Sequence, residues 1–216
     1  MIKKIGIVGG SGKQGTGITK RLANKGYEII IGSRDPIKGN KIAEQLRNEL
    51  NDGNIKGGSN IDALIADIII LAIPSNQVKD IVLPHKELIK NKIILDVTVN
   101  LIFGKIIKIE LVENLCSYEM IRNLFPESMI VGCLKTISAS TLNSDQNLHQ
   151  VDFQMTTSDE AYDLTSKLVS EMGLQPVRVR GKYHAETIER MVAMAIQLNK
   201  TYPGSHTGYQ LIDFVS

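Results

Sequence analysis

An α/β fold built on a doubly wound parallel sheet is predicted by three observations. A short apolar run at residues 5–8 breaks directly into Gly10-Ser11-Gly12-Lys13-Gln14-Gly15, after which Ile18, Leu22 and Ala23 recur at helical spacing. Residues 66–73 form a nearly continuous run of branched apolar side chains, as strands covered on both faces of a parallel sheet require. Strand-like and helix-like stretches then alternate along the chain, the pattern of strand-helix-strand units.

The first stretch makes the fold Rossmann-type. Gly10 is expected to let the chain turn tightly, Gly12 to remove a side chain where a pyrophosphate approaches the backbone, and Gly15 to let the helix pack close to the strand. The free N–H groups and positive dipole end of that helix then face phosphate, with Ser11, Lys13 and Gln14 in the turn. The next strand, at residues 27–32, decides which dinucleotide. An NAD site places an acidic residue about 20 positions beyond the glycines to accept from the ribose 2′-OH, whereas an NADP site needs donors and positive charge. Here the position carries Ser33 and Arg34, with Lys38 close behind. Arg34 pairs with a 2′-phosphate or covers the adenine, Ser33 donates, and Lys38 adds a point charge, so NADP(H) is expected over NAD(H).

At 216 residues the chain can bury a sizeable core. Its 25 basic and 23 acidic residues give no global field for nucleic acid or an acidic membrane. The N-terminus enters a strand at once and the longest apolar run is far too short to cross a bilayer, so a soluble, cytoplasmic protein without membrane or nucleic-acid partners is expected. Cys116 and Cys133 lack CxxC spacing and read as reduced packing residues, and the four histidines are scattered without metal-ligand spacing.

In chain order, a helix is expected over 41–50, a short strand at 55–57, and the buried strand 66–73 ending in Ile73-Pro74-Ser75. Ligands of doubly wound sheets bind beyond the strand carboxyl ends, which puts Ile73, Pro74 and Ser75 beside the adenosine or the nicotinamide half of the cofactor; a proline merely ending a strand stays open beside it. A helix over 77–88, broken near Pro84, leads to a strand over 92–100. There Asp96 reads as a structural acceptor for loop N–H groups, while Thr98 and Val99 are placed to line the pocket. A helix over 118–125 and a sixth strand over 126–131 follow, then the small and hydroxyl residues of 133–140. A second, smaller strand-helix-strand unit spans 151–179, and a last helix covers 185–200. The apolar stripe of that helix, Met191 and Val192 included, reads as core or dimer contact. The glycine-punctuated tail at 202–209 is expected to fold back over the pocket. The domains predicted are thus 1–140, binding NADP, and 141–216, a C-terminal α/β subdomain completing the substrate pocket.

Together these stretches resemble one family, the NADPH-dependent reductases of the deazaflavin coenzyme F420, also called F420H2:NADP oxidoreductases. The carrying residues are Gly9 to Gly17, Gly26 to Arg34, Ile73-Pro74 and Thr136-Ile137-Ser138-Ala139. NADP-binding domains of membrane ferric reductases look similar over Gly32-Ser33-Arg34 and 124–128, but those proteins continue into a membrane domain. The resemblance implies that Ser11, Gly12, Lys13 and Gln14 hold the pyrophosphate and that Ser33, Arg34 and Lys38 hold the 2′-phosphate. It further implies that Ser75, Leu101 and Ala139 touch the nicotinamide half and that Thr207 meets the deazaflavin. The chain departs from the family pattern at Ser75, where a larger aromatic side chain can occur, at Lys135, where a histidine can stand, and at Asp96-Val97-Thr98, in place of a proline-containing turn. The activity expected is hydride transfer between NADP(H) and coenzyme F420 in a homodimer, with no side chain acting as acid or base. The alternatives are an NADPH-dependent reductase of a flavin, ferric chelate or small carbonyl compound, and an NADPH redox sensor without turnover.

Overall fold

The computed structural model describes residues 3–144, 148–181 and 183–212. The first half winds as β1 (Lys4–Val8), α1 (Lys13–Leu22), β2 (Glu28–Ser33), α2 (Pro36–Leu50), β3 (Ile55–Ser59), α3 (Asn60–Leu64) and β4 (Ile68–Leu71). After β4 the chain makes two short 3-10 turns with α4 (Val78–Ile81) and α5 (Lys86–Ile89) around them, then enters β5 (Ile93–Asp96). A small antiparallel hairpin of β6 (Leu101–Ile102) and β7 (Lys108–Ile109) precedes α6 (Ser117–Leu124), β8 (Met129–Gly132) and α7 (Ala139–Asn143). The last part is β9 (Val151–Gln154), α8 (Asp159–Glu171), β10 (Gln175–Arg178) and α9 (Tyr183–Thr201).

β1, β2, β3, β4, β5 and β8 form one sheet in the order β3-β2-β1-β4-β5-β8, every pair parallel. The order reverses between β1 and β4, so the crevice at the switch point opens at the carboxyl ends of these two strands. Helices cover both faces, and the core divides accordingly. Ile5, Ile7, Ile29, Ile31, Ile68 and Ile70 point to one side with Ile18 and Leu22 of α1; Val8, Ile69, Leu71 and Ile94 point to the other with Leu64, Val78 and Ile121. Side chains alternate between faces along each strand, and both faces are covered, which is why these strands read as unbroken apolar runs. β9 and β10 make a separate parallel pair, joined to the edge of the main sheet by a bridge between Gly132 and Met155.

Several boundaries differ from expectation. α2 begins at Pro36, five residues before the expected start at Lys41, because Pro36 sits in the first turn, where a missing N–H costs nothing, and the Asp35 carboxylate accepts from Ile37 N at 2.9 Å. The strand expected over 92–100 ends at Asp96, whose side chain turns the chain by accepting from Thr98 N at 2.9 Å. The helix expected over 77–88 is broken as foreseen at Pro84, which lies in the 3-10 turn between α4 and α5. α3 and the hairpin were not foreseen.

Candidate functional site

Two cavities meet at the switch point. A polar one of about 300 Å³ lies over the end of β2, and a largely apolar one of about 400 Å³ lies over the ends of β4 and β5; Ala72 and Ile73 line both. They lie side by side along the carboxyl edge of the sheet, with Ala72 and Ile73 common to both.

The polar end is built by backbone first. Gly9, at φ +76, makes the sharp turn out of β1 and donates its N–H to Asn60 Oδ1 at 3.0 Å. A Cβ on Gly9 would lie 2.5 Å from Ile73 and 2.6 Å from the Ala72 carbonyl. The tight turn thus belongs to Gly9, not to Gly10 as the motif suggests. Gly10 instead lies against β2, its missing Cβ 3.1 Å from Ile31 Cα, and Gly15 packs on Gly10, where a Cβ would come within 2.4 Å of backbone. The glycines let α1 start close beneath the crevice. Gly12 caps α1 without any side-chain hydrogen bond, and no acidic residue stands in the first turn, so the end of α1 offers free N–H groups and positive dipole to an anion.

Around this turn the Ser11 hydroxyl donates to Ser33 Oγ at 3.1 Å, and Asp35 N donates to the same oxygen at 3.3 Å. Arg34 and Lys38 line the cavity from its outer rim, and both are exposed. Lys38 lies in the first turn of α2, near the positive end of that helix. Pro74 closes this cavity from the β4 side.

The apolar end is a slot. Ile73, Val97, Val99, Leu101, Ile137 and Ala139 line it from the sheet side, and Val192, Ala195 and Ile196 of α9 form the opposite wall. Gln14 enters from α1, its amide donating to the Ile137 carbonyl at 3.3 Å. Thr207 of the tail also lines it, its N–H and hydroxyl both donating to Asn199 Oδ1, at 2.9 and 2.8 Å. The tail then returns to the fold, with Val151 N donating to the Tyr209 carbonyl at 2.9 Å and the Tyr209 hydroxyl to the Met191 carbonyl at 2.7 Å.

Beneath the slot lies a buried charge cluster. The Lys135 ammonium donates to Asp96 Oδ2 at 2.7 Å and to the Thr98 carbonyl, and it pairs with Glu189 Oε1 at 3.2 Å. Burial pushes that ammonium toward neutrality, but Asp96 and Glu189 together outweigh burial and hold it above the ordinary lysine value. Glu189 also accepts from Ser117 N and Tyr118 N, both at 3.0 Å, so its charge rests on the N-terminus of α6. Asp96 is therefore a structural acceptor, as read from its place at a strand end, and also half of an ion pair that reading did not foresee. The Leu134 turn that delivers Lys135 has φ +53 and is fixed by Asp152, which accepts from Leu134 N at 2.5 Å. Burial lifts the Asp152 carboxyl to about 6, against the hydrogen bonds from Gln154 and Leu134. Burial also pushes the Cys116 thiol up to about 12 and the Cys133 thiol well above its ordinary value, so both are inert thiols.

Of the residues singled out from the sequence, Ser11, Gly12, Ser33, Arg34, Lys38 and Pro74 line the polar cavity, Gln14, Thr98, Leu101, Ala139 and Thr207 line the slot, and Ile73 lines both. Gly10 and Gly15 lie beneath the turn. Lys13 opens α1 outside both cavities, its carbonyl accepting from Asn143. Ser75 also lines neither cavity: it is buried behind Pro74 at the start of a 3-10 turn. The wall formed by α9 was missed, since a stripe of apolar residues on a helix looks the same whether it meets core or cavity. Part of that stripe, Val192, Ala195, Ile196 and Asn199, faces the slot. Asn60 was missed too, although Ser59 and Asp62 signal a capping box and so a helix start at its position.

The family model described as NADP oxidoreductase coenzyme F420-dependent matches residues 4–100. The F420-dependent NADP reductase of Methanothermobacter marburgensis is 31% identical over 206 residues, covering 91% of this chain and 92% of the relative. That of Methanocaldococcus jannaschii is 28% identical over 218 residues, covering 96% and 97%. Among solved structures, a candidate F420-dependent NADP-reductase from Arthrobacter sp. FB24 shares the fold with a TM-score of 0.84 at 20% identity, over 98% of this chain and 100% of that one. With about a third of its residues identical to the Methanothermobacter marburgensis enzyme over nearly the full length of both, the chain belongs to the family of F420-dependent NADP reductases.

Proposed function

We propose that this protein transfers a hydride between NADP(H) and the deazaflavin coenzyme F420, with the dinucleotide lying across the carboxyl edge of the sheet. The observation that carries the reading is the pair of cavities joined at Ala72 and Ile73: one end is cationic with an uncapped helix N-terminus, the other is an apolar slot of about 400 Å³. A phosphate-rich nucleotide and a flat ring need those two environments side by side.

In this reading Ser11, Gly12 and the first N–H groups of α1 bind the pyrophosphate, while Ser33, Arg34 and Lys38 bind the 2′-phosphate. Arg34 and Lys38 make no hydrogen bond or ion pair to another side chain among the described residues, so their charge is free for a ligand. When bound, the nicotinamide and the deazaflavin supply the hydride chemistry. The chain's part is to stack them in a dry slot, and the apolar walls from Ile73, Leu101, Val192 and Ile196 exclude water from it. No proton relay is required in this reading: two carboxylates hold the Lys135 ammonium above the ordinary lysine value, and the Thr98 hydroxyl is committed to Asp96 Oδ1 at 2.7 Å. Residues 1–140 serve the dinucleotide and residues 141–216 complete the slot.

The same reading extends to a cytoplasmic homodimer. Phe103 and Ile106 at the hairpin tip are 70% and 71% exposed, and Met194, Leu198 and Tyr202 extend an exposed apolar stripe along α9, on which the hairpin packs. No helix among the described residues is long and apolar enough to cross a membrane.

The test is anaerobic mixing of the protein with NADPH and oxidised F420, following loss of the deazaflavin visible absorbance, with NADH as control. Fast bleaching with NADPH and little with NADH is expected. NADPH binding without bleaching would transfer the assignment to another acceptor.

A further inference from the structure

Two primary amides line the slot, Gln14 of α1 and Asn199 of α9, and each has one end committed to the protein. Asn199 gives its oxygen, which accepts from the N–H and the hydroxyl of Thr207. Gln14 gives its nitrogen: Nε2 donates to the Ile137 carbonyl at 3.3 Å. An amide whose nitrogen end faces a carbonyl presents its oxygen as the free end. Gln14 Oε1 has no hydrogen-bond partner among the described residues. The described side-chain polar atoms that are both unpartnered and sealed off belong to Ser75, Thr136, Gln150, Thr165 and Arg178, so the oxygen of the half-buried Gln14 is open.

This arrangement does not suit the pyrophosphate role that the family resemblance implies for Gln14. A phosphate oxygen accepts hydrogen bonds, and the free end of Gln14 also accepts. The side chain moreover lines the apolar slot and not the polar cavity. What it can receive is an N–H. Its place is fixed from both ends: Gln14 lies in the first turn of α1, directly after the glycine turn, and the Ile137 bond ties its amide to the loop after β8.

We propose that Gln14 is a positioning residue whose Oε1 accepts an N–H of the nicotinamide carboxamide. This inference rests on the proposed function, which lays the pyrophosphate over Ser11 and Gly12 and so brings the nicotinamide, tethered to it through one ribose, to the part of the slot next to α1. The carboxamide projects from one edge of the ring. A bond to it fixes the rotation of the ring about its glycosidic bond, and with it the face of C4 turned to the hydride acceptor. Apolar walls supply contact area but do not choose between the two faces.

Gln14→Met keeps the length of the side chain and removes the amide. Kd values are measured by calorimetry, without F420, for three ligands: NADPH; the reduced 3-acetylpyridine analogue, which keeps the carbonyl on the ring but lacks the amide N–H; and 2′-phospho-ADP-ribose, which keeps the pyrophosphate and both riboses but lacks the ring. Gln14→Met is expected to weaken NADPH by about 3- to 10-fold, the size of one lost neutral hydrogen bond. The acetylpyridine analogue and 2′-phospho-ADP-ribose are expected to stay within about twofold of their values with the parent. An unchanged Kd for NADPH overturns the inference. Equal losses for NADPH and the analogue also overturn it, since the N–H would then play no part, and equal losses for all three ligands return Gln14 to the pyrophosphate or to the fold. If the parent binds NADPH but does not bleach F420, the proposed function fails while these titrations still decide the role of Gln14. A parent that binds no NADPH overturns both.

Discussion

At the scale of single residues, cofactor choice comes down to what stands at the end of β2. A carboxylate there would accept from a ribose 2′-OH and repel a 2′-phosphate. In the proposed reading Ser33 and Arg34 do the opposite, and the nearby Asp35 carboxylate, which also lines the cavity, is engaged in capping α2 by accepting from Ile37 N. The Ser33 hydroxyl oxygen already accepts from Ser11 and from Asp35 N, which leaves its own hydrogen uncommitted to either of them. Replacing Ser33 and Arg34 together by Ala removes one neutral and at least one charge-assisted bond. The expected result is a KM for NADPH higher by about 10- to 100-fold with kcat changed less than about threefold, because the lost contacts are the same in ground and transition states. An equal loss in both parameters would place these residues in the chemical step. That Ser33, Arg34 and Lys38 gather at one cavity was legible, because the roles proposed for them follow from local sequence: a missing acid and two cations after a strand. The division of labour among the glycines was not, since the motif marks Gly10 whereas the left-handed conformation falls on Gly9, and only the contact with Ile73 and Ala72 across the sheet shows it.

At the scale of elements, the central strands were legible for a physical reason. Parallel strands covered on both faces cannot alternate polar and apolar residues, so Ile68 to Leu71 announces itself. Helix caps are subtler: α2 starts at Asp35-Pro36, a pair readable as cap and first turn. The β6-β7 hairpin, with two residues in each strand, is too short for any periodicity to register. The loop between β8 and α7 was legible only as small and hydroxyl residues, because its shape comes from a distant carboxylate. Asp152 on β9 holds Leu134 N and also accepts from Gln154 Nε2 at 3.0 Å, and so couples β9 to the floor of the slot. This coupling has a pH signature. The folded-state carboxyl titrates at about 6 against an ordinary 3.8, so between those values the folded chain keeps a proton that the unfolded chain has released. Its contribution to stability is therefore most favourable below about pH 4, falls as pH rises to about 6, and stays low above that. Asp152→Asn keeps an oxygen for Leu134 N, and a turned Gln154 amide receives the new amide while its nitrogen faces Ser166 Oγ, now bonded to Gln154 Oε1 at 3.0 Å. Urea unfolding of the variant relative to the parent is expected to show a gain of about 1–3 kcal/mol at pH 8 over the difference at pH 4. A difference independent of pH would mean that Asp152 does not titrate in this range.

At the scale of the whole molecule, the two halves share a site that neither completes alone. The sheet supplies the ends of β4 and β5, and α9 supplies the facing wall. α9 is tied down at several points: Glu189 to Lys135 and to the N-terminus of α6, Gln197 Oε1 to Ile107 N at 2.9 Å, and the Lys200 ammonium to the Gly104 carbonyl at 2.7 Å. α7 packs on α1, where a Cβ on Gly17 would meet Leu142 at 2.6 Å. A boundary at residue 140 thus marks a change of pattern in the sequence but runs through a continuous set of contacts. Breaking the Lys135 cluster would leave buried carboxylates unpaired, so detaching α9 from a still-folded sheet is unfavourable. Unfolding of the two halves should therefore be coupled. Calorimetry is expected to show one transition with equal calorimetric and van't Hoff enthalpies. NADPH at about 100 times its Kd adds about 2.7 kcal/mol to the folded state, which moves the whole transition up by about 5–10 °C for a chain of this size. NADH at the same concentration is expected to move it far less, since it lacks the phosphate that Arg34 and Lys38 are proposed to meet. Two transitions, of which NADPH shifted only one, would show instead that residues 1–140 hold the dinucleotide by themselves and that α9 closes over it as an independent unit.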